Sequence, residues 1–427
     1  MVVDTLRADA LGAYACERGL TPRLDRLAEE GVLFQNAFSH APWTLPSFAS
    51  LLTSRTPPAH GAGGRLGDLR GLPETIPTLP DRFREAGYAT GAIVNVGFLA
   101  RPFGVTRGFE HLDARAFENN QELRDARATT DAALEWIRGH ADGAFLLMVH
   151  YFDPHAEYRP PGEFRRRFAA DVDREDETFR FGVRSHVSAR RAGRLELRPE
   201  LLERARRLYE AEVAYVDDEI GRLLDGLQDL DLDRTTLVVV TSDHGEEFLD
   251  HGDWEHGHTL YDELLRVPLI LRQSGRLAPS RIDAAVGHVD LGPTLLSWCG
   301  LRACDSFQGR DLVGALAGAQ VPPVPLLAFG SFWGPPLSSL REGDLQVIEG
   351  AGGRHELYRW TSDPAERTDL AAKERSQAER AQARLETVRG AELRSGSGPG
   401  PRASLTAEQS RQLAAVGYVG DADDAKD

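Results

Sequence analysis

The chain has 427 residues, 41% of them apolar and 27% charged, with a formal charge of −16. That length suits one large α/β domain with a smaller companion, and the composition is that of an ordinary globular protein rather than a disordered or fibrous one. The acidic balance excludes a general nucleic-acid binder, because the phosphate backbone would be repelled. Cys16, Cys299 and Cys304 are too few for a disulfide framework and lack metal-ligand spacing. No apolar run approaches the roughly 18 residues of a membrane helix, and no signal peptide leads the chain.

Val2-Val3 before Asp4 reads as the tail of a buried strand. A central strand runs to about 5–6 residues, so either this strand is short or the true start lies upstream, with room there for a targeting segment; the compartment and oligomeric state stay open. In open α/β sheets ligands gather at the carboxyl ends of strands, which places Asp4 well, although it also suits the cap of a helix over Thr5–Leu11. Thr21–Gly31 is predicted as a helix closed by glycine, and Val32–Phe38 as a strand. Thr44-Leu-Pro-Ser47 opens a helix through Thr53, with Pro46 in the first turn, where its missing N–H costs nothing. Taken alone, Thr44 is an ordinary N-cap. The amino end of that helix also favours an anion.

Glu74–Gly87 is predicted as a helix, Tyr88–Asn95 as a strand, and Asp125–His140 as a helix. Ala144–Tyr151 is a near-continuous apolar run, as expected of a strand buried on both faces; it delivers Asp153 and His155 in Phe152-Asp-Pro-His. Phe164–Pro199 reads as an Arg-rich stretch, either an insertion over the site or partly mobile. Glu200–Leu230 is a long amphipathic helix, on which Asp217 serves either a solvated face or the cap of a neighbouring helix. Thr235–Thr241 is a buried strand running into Ser242-Asp-His-Gly-Glu-Glu247, followed by a loop carrying His251, His256 and His258. Leu264–Leu271 returns to strand and His288–Trp298 to helix.

Strands alternating with helices in this way predict an α/β fold with a mostly parallel sheet, covered by helices on both faces. After residue 320 the texture changes to short polar strands at Leu326–Phe332, Asp344–Glu349 and Glu356–Tyr358, a small antiparallel subdomain over 321–427. It continues with a charged helix at Ala371–Arg389, a linker at Gly390–Arg402 and a last helix at Leu405–Gly420. The catalytic domain is then 1–320.

Three strand ends thus deliver Asp4, Asp153 with His155, and Asp243 with His244, and a loop adds the late histidines. Mixed carboxylate and imidazole ligands suit a divalent cation, zinc or manganese first, calcium or magnesium also. Converging carboxylates would repel one another without one. A threonine hydroxyl is inert at neutral pH until a base or a metal activates it.

DTLRADALG, TPRLDRLAEEGVLFQNAFS, TLPSFASLLTS, FDPHAEY, TSDHGEEF, LYDELLRVPLIL, DLGPTLL and the terminal LTAEQSRQLAAVGYVG together resemble the sulfatase branch of the alkaline phosphatase superfamily over nearly the whole chain. The resemblance implies that Asp4, Thr44, Asp243 and His244 hold a metal. It implies that Asp153, His155, His256 and His258 line a second metal or the leaving-group side, with His155 and His258 joining Thr44 in catalysis and His251 in support. Sulfatases carry Cys or Ser at the nucleophile position and Arg four residues on; here these are Thr44 and Phe48, and threonine cannot become formylglycine. A threonine with extra histidines is similar to nucleotide pyrophosphatase, phosphodiesterase and phosphoethanolamine-transferase relatives, which points to phosphate esters ahead of sulfate. Those relatives place an asparagine against the transferred group, for which Asn95 is the candidate. The expected substrate is a small-molecule, glycan or lipid ester, cleaved with one or two divalent ions. A headgroup transferase and a non-catalytic anion-binding relative are the alternatives.

Overall fold

The computed structural model describes residues 1–65, 67–118, 123–172, 196 and 198–415. Much of the expected insertion at 164–199 and the end of the expected last helix lie outside them. The central sheet contains, in chain order, β1 (Val2–Val3), β2 (Val32–Phe38), β3 (Ala89–Ile93), β4 (His111–Asp113), β5 (Phe145–Tyr151), β6 (Val238–Ser242), β7 (Arg266–Val267), β8 (Leu269–Arg272) and β9 (Ser280–Gly287). Its spatial order is β7-β2-β8-β6-β1-β5-β3-β4, with β9 beside β2. Strands β6, β1, β5, β3 and β4 run parallel, and β9 is parallel to β2. The sheet is mixed because β7 and β8 run antiparallel to β2, and β8 antiparallel to β6. The expected single strand over Leu264–Leu271 is split at Pro268, which has no N–H to give to a ladder.

Helices cover both faces. On one lie α1 (Pro22–Glu30), α3 (Ala126–Arg138) and α4 (Pro199–Asp229), which bury Leu24, Leu27, Leu134, Ile137, Leu208, Val216 and Ile220 in one core. On the other, α2 (Thr44–Thr53) and α5 (Leu291–Trp298) bury Leu45, Phe48, Leu52 and Leu291 in a second core. Asp217 resolves as a cap: its carboxylate accepts from the backbone N–H groups of Arg23 and Leu24 at 3.0 and 2.8 Å, satisfying donors at the start of α1. The expected helix at Thr5–Leu11 is a single 3₁₀ turn over Ala8–Ala10.

The parallel register positions the site. Val2 lies opposite His150 and Thr241, and Val3 opposite Tyr151 and Ser242. The carboxyl ends of β1, β5 and β6 therefore meet at one edge, and Asp4, Asp153 and Asp243 all follow them there. At the other end β1 pairs over two residues only, while β5 continues back to Phe145 and β6 to Val238. A cavity of about 160 Å³ opens there, lined by Met1, Val2, Leu146, Met148, Val238 and Leu291 among others.

Beyond residue 321 a four-stranded antiparallel sheet forms from β10 (Leu326–Phe329), β11 (Ser338–Glu342), β12 (Leu345–Glu349) and β13 (His355–Tyr358). Strand β11 was not expected from its sequence, SSLRE, since its polar residues mask a strand whose Ser338 and Ser339 are buried. Helix α6 (Arg375–Ser395) packs on this sheet through Ala378 and Leu385. It runs through Gly390, where a linker was expected, because the glycine's cost of about 1 kcal/mol is met by the turns on either side.

Candidate active site

Asp4 follows β1 directly, and its N–H donates to the Tyr151 carbonyl at 2.9 Å. Thr5 then turns through a left-handed φ of 54°, which aims the chain across the end of β6. Asp243 and His244 follow β6. One ligand atom each from Asp4, Asp243 and His244 lie within 4.8 Å of one another, and all three residues are fully buried. Helix α2 points its first residue at them: Thr44 Oγ1 lies 3.4 Å from His244 Nε2. The residue before the helix is Trp43, so Thr44 is not the N-cap. Ser47 anchors the helix end by donating to the Asp243 carbonyl at 2.6 Å. Position and register of the nucleophile candidate are thus tied to the loop that carries Asp243.

The electrostatics call for a cation. Burial pushes Asp4 well above the usual carboxylate range, with the Glu246 charge adding to it, and burial with neighbouring Asp4 pushes Asp243 up to about 7. Burial lowers His244 to about 3, so its ring is neutral. Its Nδ1 lies 2.9 Å from the Gly245 carbonyl, which can only accept, so the proton sits on Nδ1 and Nε2 keeps its lone pair toward the acids. Asp4 Oδ1 and Asp243 Oδ2 are buried without a hydrogen-bond partner. Two orphaned carboxylate oxygens beside an imidazole lone pair fit a divalent ion.

Two predicted histidines stand beside this cluster. The His256 ring centroid is 4.5 Å from that of His244 and 5.0 Å from that of His155. His155 Nδ1 is held by the Ala156 carbonyl at 2.5 Å, and His256 Nδ1 by Glu246 Oε1 at 2.9 Å. A carboxylate on the far nitrogen of an imidazole is a common way to orient a ligand histidine. Glu246 also accepts from the Tyr158 hydroxyl at 3.0 Å.

His150 was missed. It lies on β5, fully buried, with Nε2 3.2 Å from Asp4 Oδ2, and burial holds it near 4. The signal was a lone histidine inside the apolar run FLLMVHY. Phe48, where a sulfatase would have arginine, packs edge-on against His150 with ring centroids 5.4 Å apart.

Other expected residues are placed elsewhere. Asp153 lies outside the three-residue cluster; burial raises it to about 7, with Asp125 adding to the rise and the Ala126 backbone at the amino end of α3 opposing it. Free N–H groups at a helix end favour the charged form of a carboxylate. His258 is bound through Nε2 to Glu247 Oε2 at 2.7 Å, and His251 through Nδ1 to Glu263 Oε1 at 2.7 Å. Neither contributes to the three-residue ligand cluster found among the described residues. Asn95 donates to the His150 carbonyl at 2.6 Å and accepts from Arg124 Nε at 2.9 Å; its amide braces β5.

The sulfatase family model matches residues 1–301. The iduronate 2-sulfatase of Homo sapiens is 26% identical over 385 residues, 76% of this chain and 69% of the relative. An uncharacterized sulfatase of Escherichia coli (strain K12) is 24% identical over 421 residues, 87% of this chain and 82% of the relative. Among solved structures, the phosphonate monoester hydrolase from Silicibacter pomeroyi aligns with a TM-score of 0.73 at 22% identity, covering 93% of this chain and 95% of that one. The family match begins at the strand that delivers Asp4 and runs past the loop that delivers Asp243 and His244, so it contains the whole buried cluster. The chain is accordingly a hydrolase of sulfuric or phosphoric ester bonds and belongs to the sulfatase family.

Proposed function

We propose that the protein cleaves phosphate esters, ahead of sulfate esters, with Thr44 Oγ1 as nucleophile. The observation that carries this reading is the position of Thr44 Oγ1, at the amino end of α2 and 3.4 Å from His244 Nε2, beside two orphaned carboxylate oxygens. Asp4, Asp243, His244 and Thr44 would hold a divalent ion, which would supply the Lewis acidity that makes a threonine hydroxyl a competent nucleophile. The Oγ1–P bond forms as the bond to the alcohol oxygen breaks in line, and the hydroxyl proton ends on the departing alcohol. Water then splits the threonyl ester and releases phosphate. The amino end of α2 favours the negative charge on the transferred group. His155 and His256 lie beside His244, on the side assigned to the leaving oxygen, where a neutral imidazole relays a proton.

Phosphate is favoured over sulfate because a threonine cannot supply the hydrated aldehyde that sulfatases use. The names of the relatives, a 2-sulfatase and a phosphonate monoester hydrolase, span both ester classes. The test is a panel of 4-nitrophenyl phosphate, bis(4-nitrophenyl) phosphate and 4-nitrophenyl sulfate with Zn²⁺ or Mn²⁺. One of the phosphate esters is expected to exceed the sulfate in kcat/KM by about 100-fold, close to 3 kcal/mol in the transition state. A sulfate preference would reverse the assignment.

A further inference from the structure

Each acid of the buried cluster has one oxygen held by the protein and one without a partner. Asp243 Oδ1 accepts from the backbone N–H groups of His244 and Thr5 at 3.0 and 3.4 Å. Its Oδ2 has no hydrogen-bond partner and lies 3.3 Å from His244 Nε2. Asp4 divides in the same way. Its Oδ2 lies 3.2 Å from His150 Nε2, while its orphaned Oδ1 lies 3.7 Å from His244 Nε2. The two orphaned oxygens thus approach one imidazole nitrogen, and the protein occupies the other two.

His150 does this for Asp4, and the backbone decides where His150 carries its proton. The Asn95 N–H donates to His150 Nδ1 at 3.3 Å. A backbone N–H can only donate, so Nδ1 offers a lone pair and the ring proton sits on Nε2. Nε2 is then a donor to Asp4 and has no lone pair for an ion. A histidine beside such a cluster is ordinarily a ligand; this tautomer makes it a clamp. Both partners are fixed in place. His150 is fully buried on β5, with Phe48 packed edge-on against its ring at 5.4 Å. Asn95 follows β3, and its side chain donates to the His150 carbonyl at 2.6 Å and to Thr129 Oγ1 at 2.9 Å. Its N–H is held against the ring.

The number of oxygens an acid can offer bears on which ion fits. Zinc is satisfied by about four donor atoms. Manganese and calcium seek about six or more donors, mostly oxygen, and a carboxylate can give calcium both of its oxygens. One atom each from Asp4, Asp243, His244 and Thr44 meets the first demand and falls short of the second. The clamp on Asp4 Oδ2 withholds the oxygen that would enlarge the set.

We propose that His150 is a positioning residue that holds Asp4 to ligation through Oδ1 alone, and that it thereby selects zinc over larger, oxygen-seeking divalent ions. The assignment rests on the reading of Asp4, Asp243 and His244 as a metal site and names the residue that tunes it.

The test is calorimetric titration of chelator-stripped protein with Zn²⁺, and with Mn²⁺ in competition against Zn²⁺, on the wild type, His150→Leu and His150→Gln. The binding event absent from Asp243→Asn identifies this site. Leucine removes the donor and keeps an apolar side chain beside Phe48, whereas glutamine supplies an amide N–H in place of Nε2. Circular dichroism and melting temperature check each fold. Zn²⁺ affinity is expected to fall about 10–100-fold in His150→Leu, the usual cost of losing a group that orients a ligand. Mn²⁺ gains the freed oxygen, so the preference for Zn²⁺ over Mn²⁺ is expected to shrink at least about tenfold. His150→Gln is expected to restore most of both. Equal losses for the two ions, no loss in His150→Leu, or a glutamine variant that behaves like leucine would overturn the assignment and leave the metal site standing. Loss of the site in both variants would make His150 a ligand, which also overturns it. A wild type that binds neither ion would remove the site itself, and the assignment with it. Should His150→Leu not fold, NMR of isotope-labelled histidine decides. In the zinc-loaded wild type, the ring signal that His150→Gln removes is expected to show its proton on Nε2, and a proton on Nδ1 would overturn the clamp.

Discussion

Thr44→Ala is expected to lower kcat for ester cleavage by about 10⁴-fold or more, the scale seen when an enzyme loses its nucleophile. Thr44 is fully buried, and alanine removes one hydroxyl and one methyl without disturbing the anchor that Ser47 makes to the Asp243 carbonyl. Melting temperature and circular dichroism should therefore stay close to wild type, which separates lost chemistry from lost fold. Thr44→Ser keeps the hydroxyl at the amino end of α2 and should keep a measurable fraction of the rate. Mass spectrometry of quenched wild-type reactions is expected to find a phosphoryl adduct on the tryptic peptide that contains Thr44, absent from Thr44→Ala. An alanine variant within tenfold of wild type on phosphate and sulfate esters would sink the nucleophile assignment.

Asp243→Asn is expected to cost about 10³-fold in kcat/KM and most of the bound metal, because it removes one of the two orphaned carboxylates that a cation would balance above pH 7. Metal analysis of the purified variant checks it. The same carboxylates set a pH signature in the chelated protein. Asp243 stands at about 7 in the folded chain against an ordinary value of 3.8, and Asp4 is raised well above 3.8. Between 3.8 and 7 the folded state holds protons that the unfolded chain has released. The stability tied to these protons is present at low pH and is lost as pH rises through about 7. For this pair, Tm without metal should be lower near pH 8 than near pH 5.5. Added Zn²⁺ or Mn²⁺ should raise it more near pH 8, where both acids are ready to ligate. Asp243→Asn should flatten the pH dependence and abolish most of the metal response. An equal response in the variant would place the ion elsewhere.

Some of the site could be read without coordinates because its residues lie where a periodic pattern breaks. Asp4 and Asp243 each follow a run of apolar strand residues, and polar residues at the end of a buried parallel strand face the ligand edge of the sheet. His150 escaped for the opposite reason: it lies inside an apolar run, where one polar residue does not change the strand assignment. The late histidines were legible as a group and not one by one. Their spacing in HGDWEHGH is compatible with several loop paths. The two-stranded turn that pairs Glu247 with Glu255 carries His256 to Glu246 and His258 to Glu247.

What the sequence determined by itself is the layered α/β architecture, the strand ends that carry the acids, and the departure at Thr44 and Phe48 from the sulfatase pattern. These are local properties: apolar periodicity, turn chemistry and residue identity at a motif. Only the tertiary structure decided which ligand-type side chains share a site. Asp153 and Asp243 look equivalent in one dimension, each following a buried strand. In space Asp153 lies by the amino end of α3 and Asp243 joins the buried cluster with Asp4 and His244. That outcome depends on helices and carboxylates brought together from distant parts of the chain, where burial raises the cost of an unpaired charge and the nearest donor or cation decides where each acid turns.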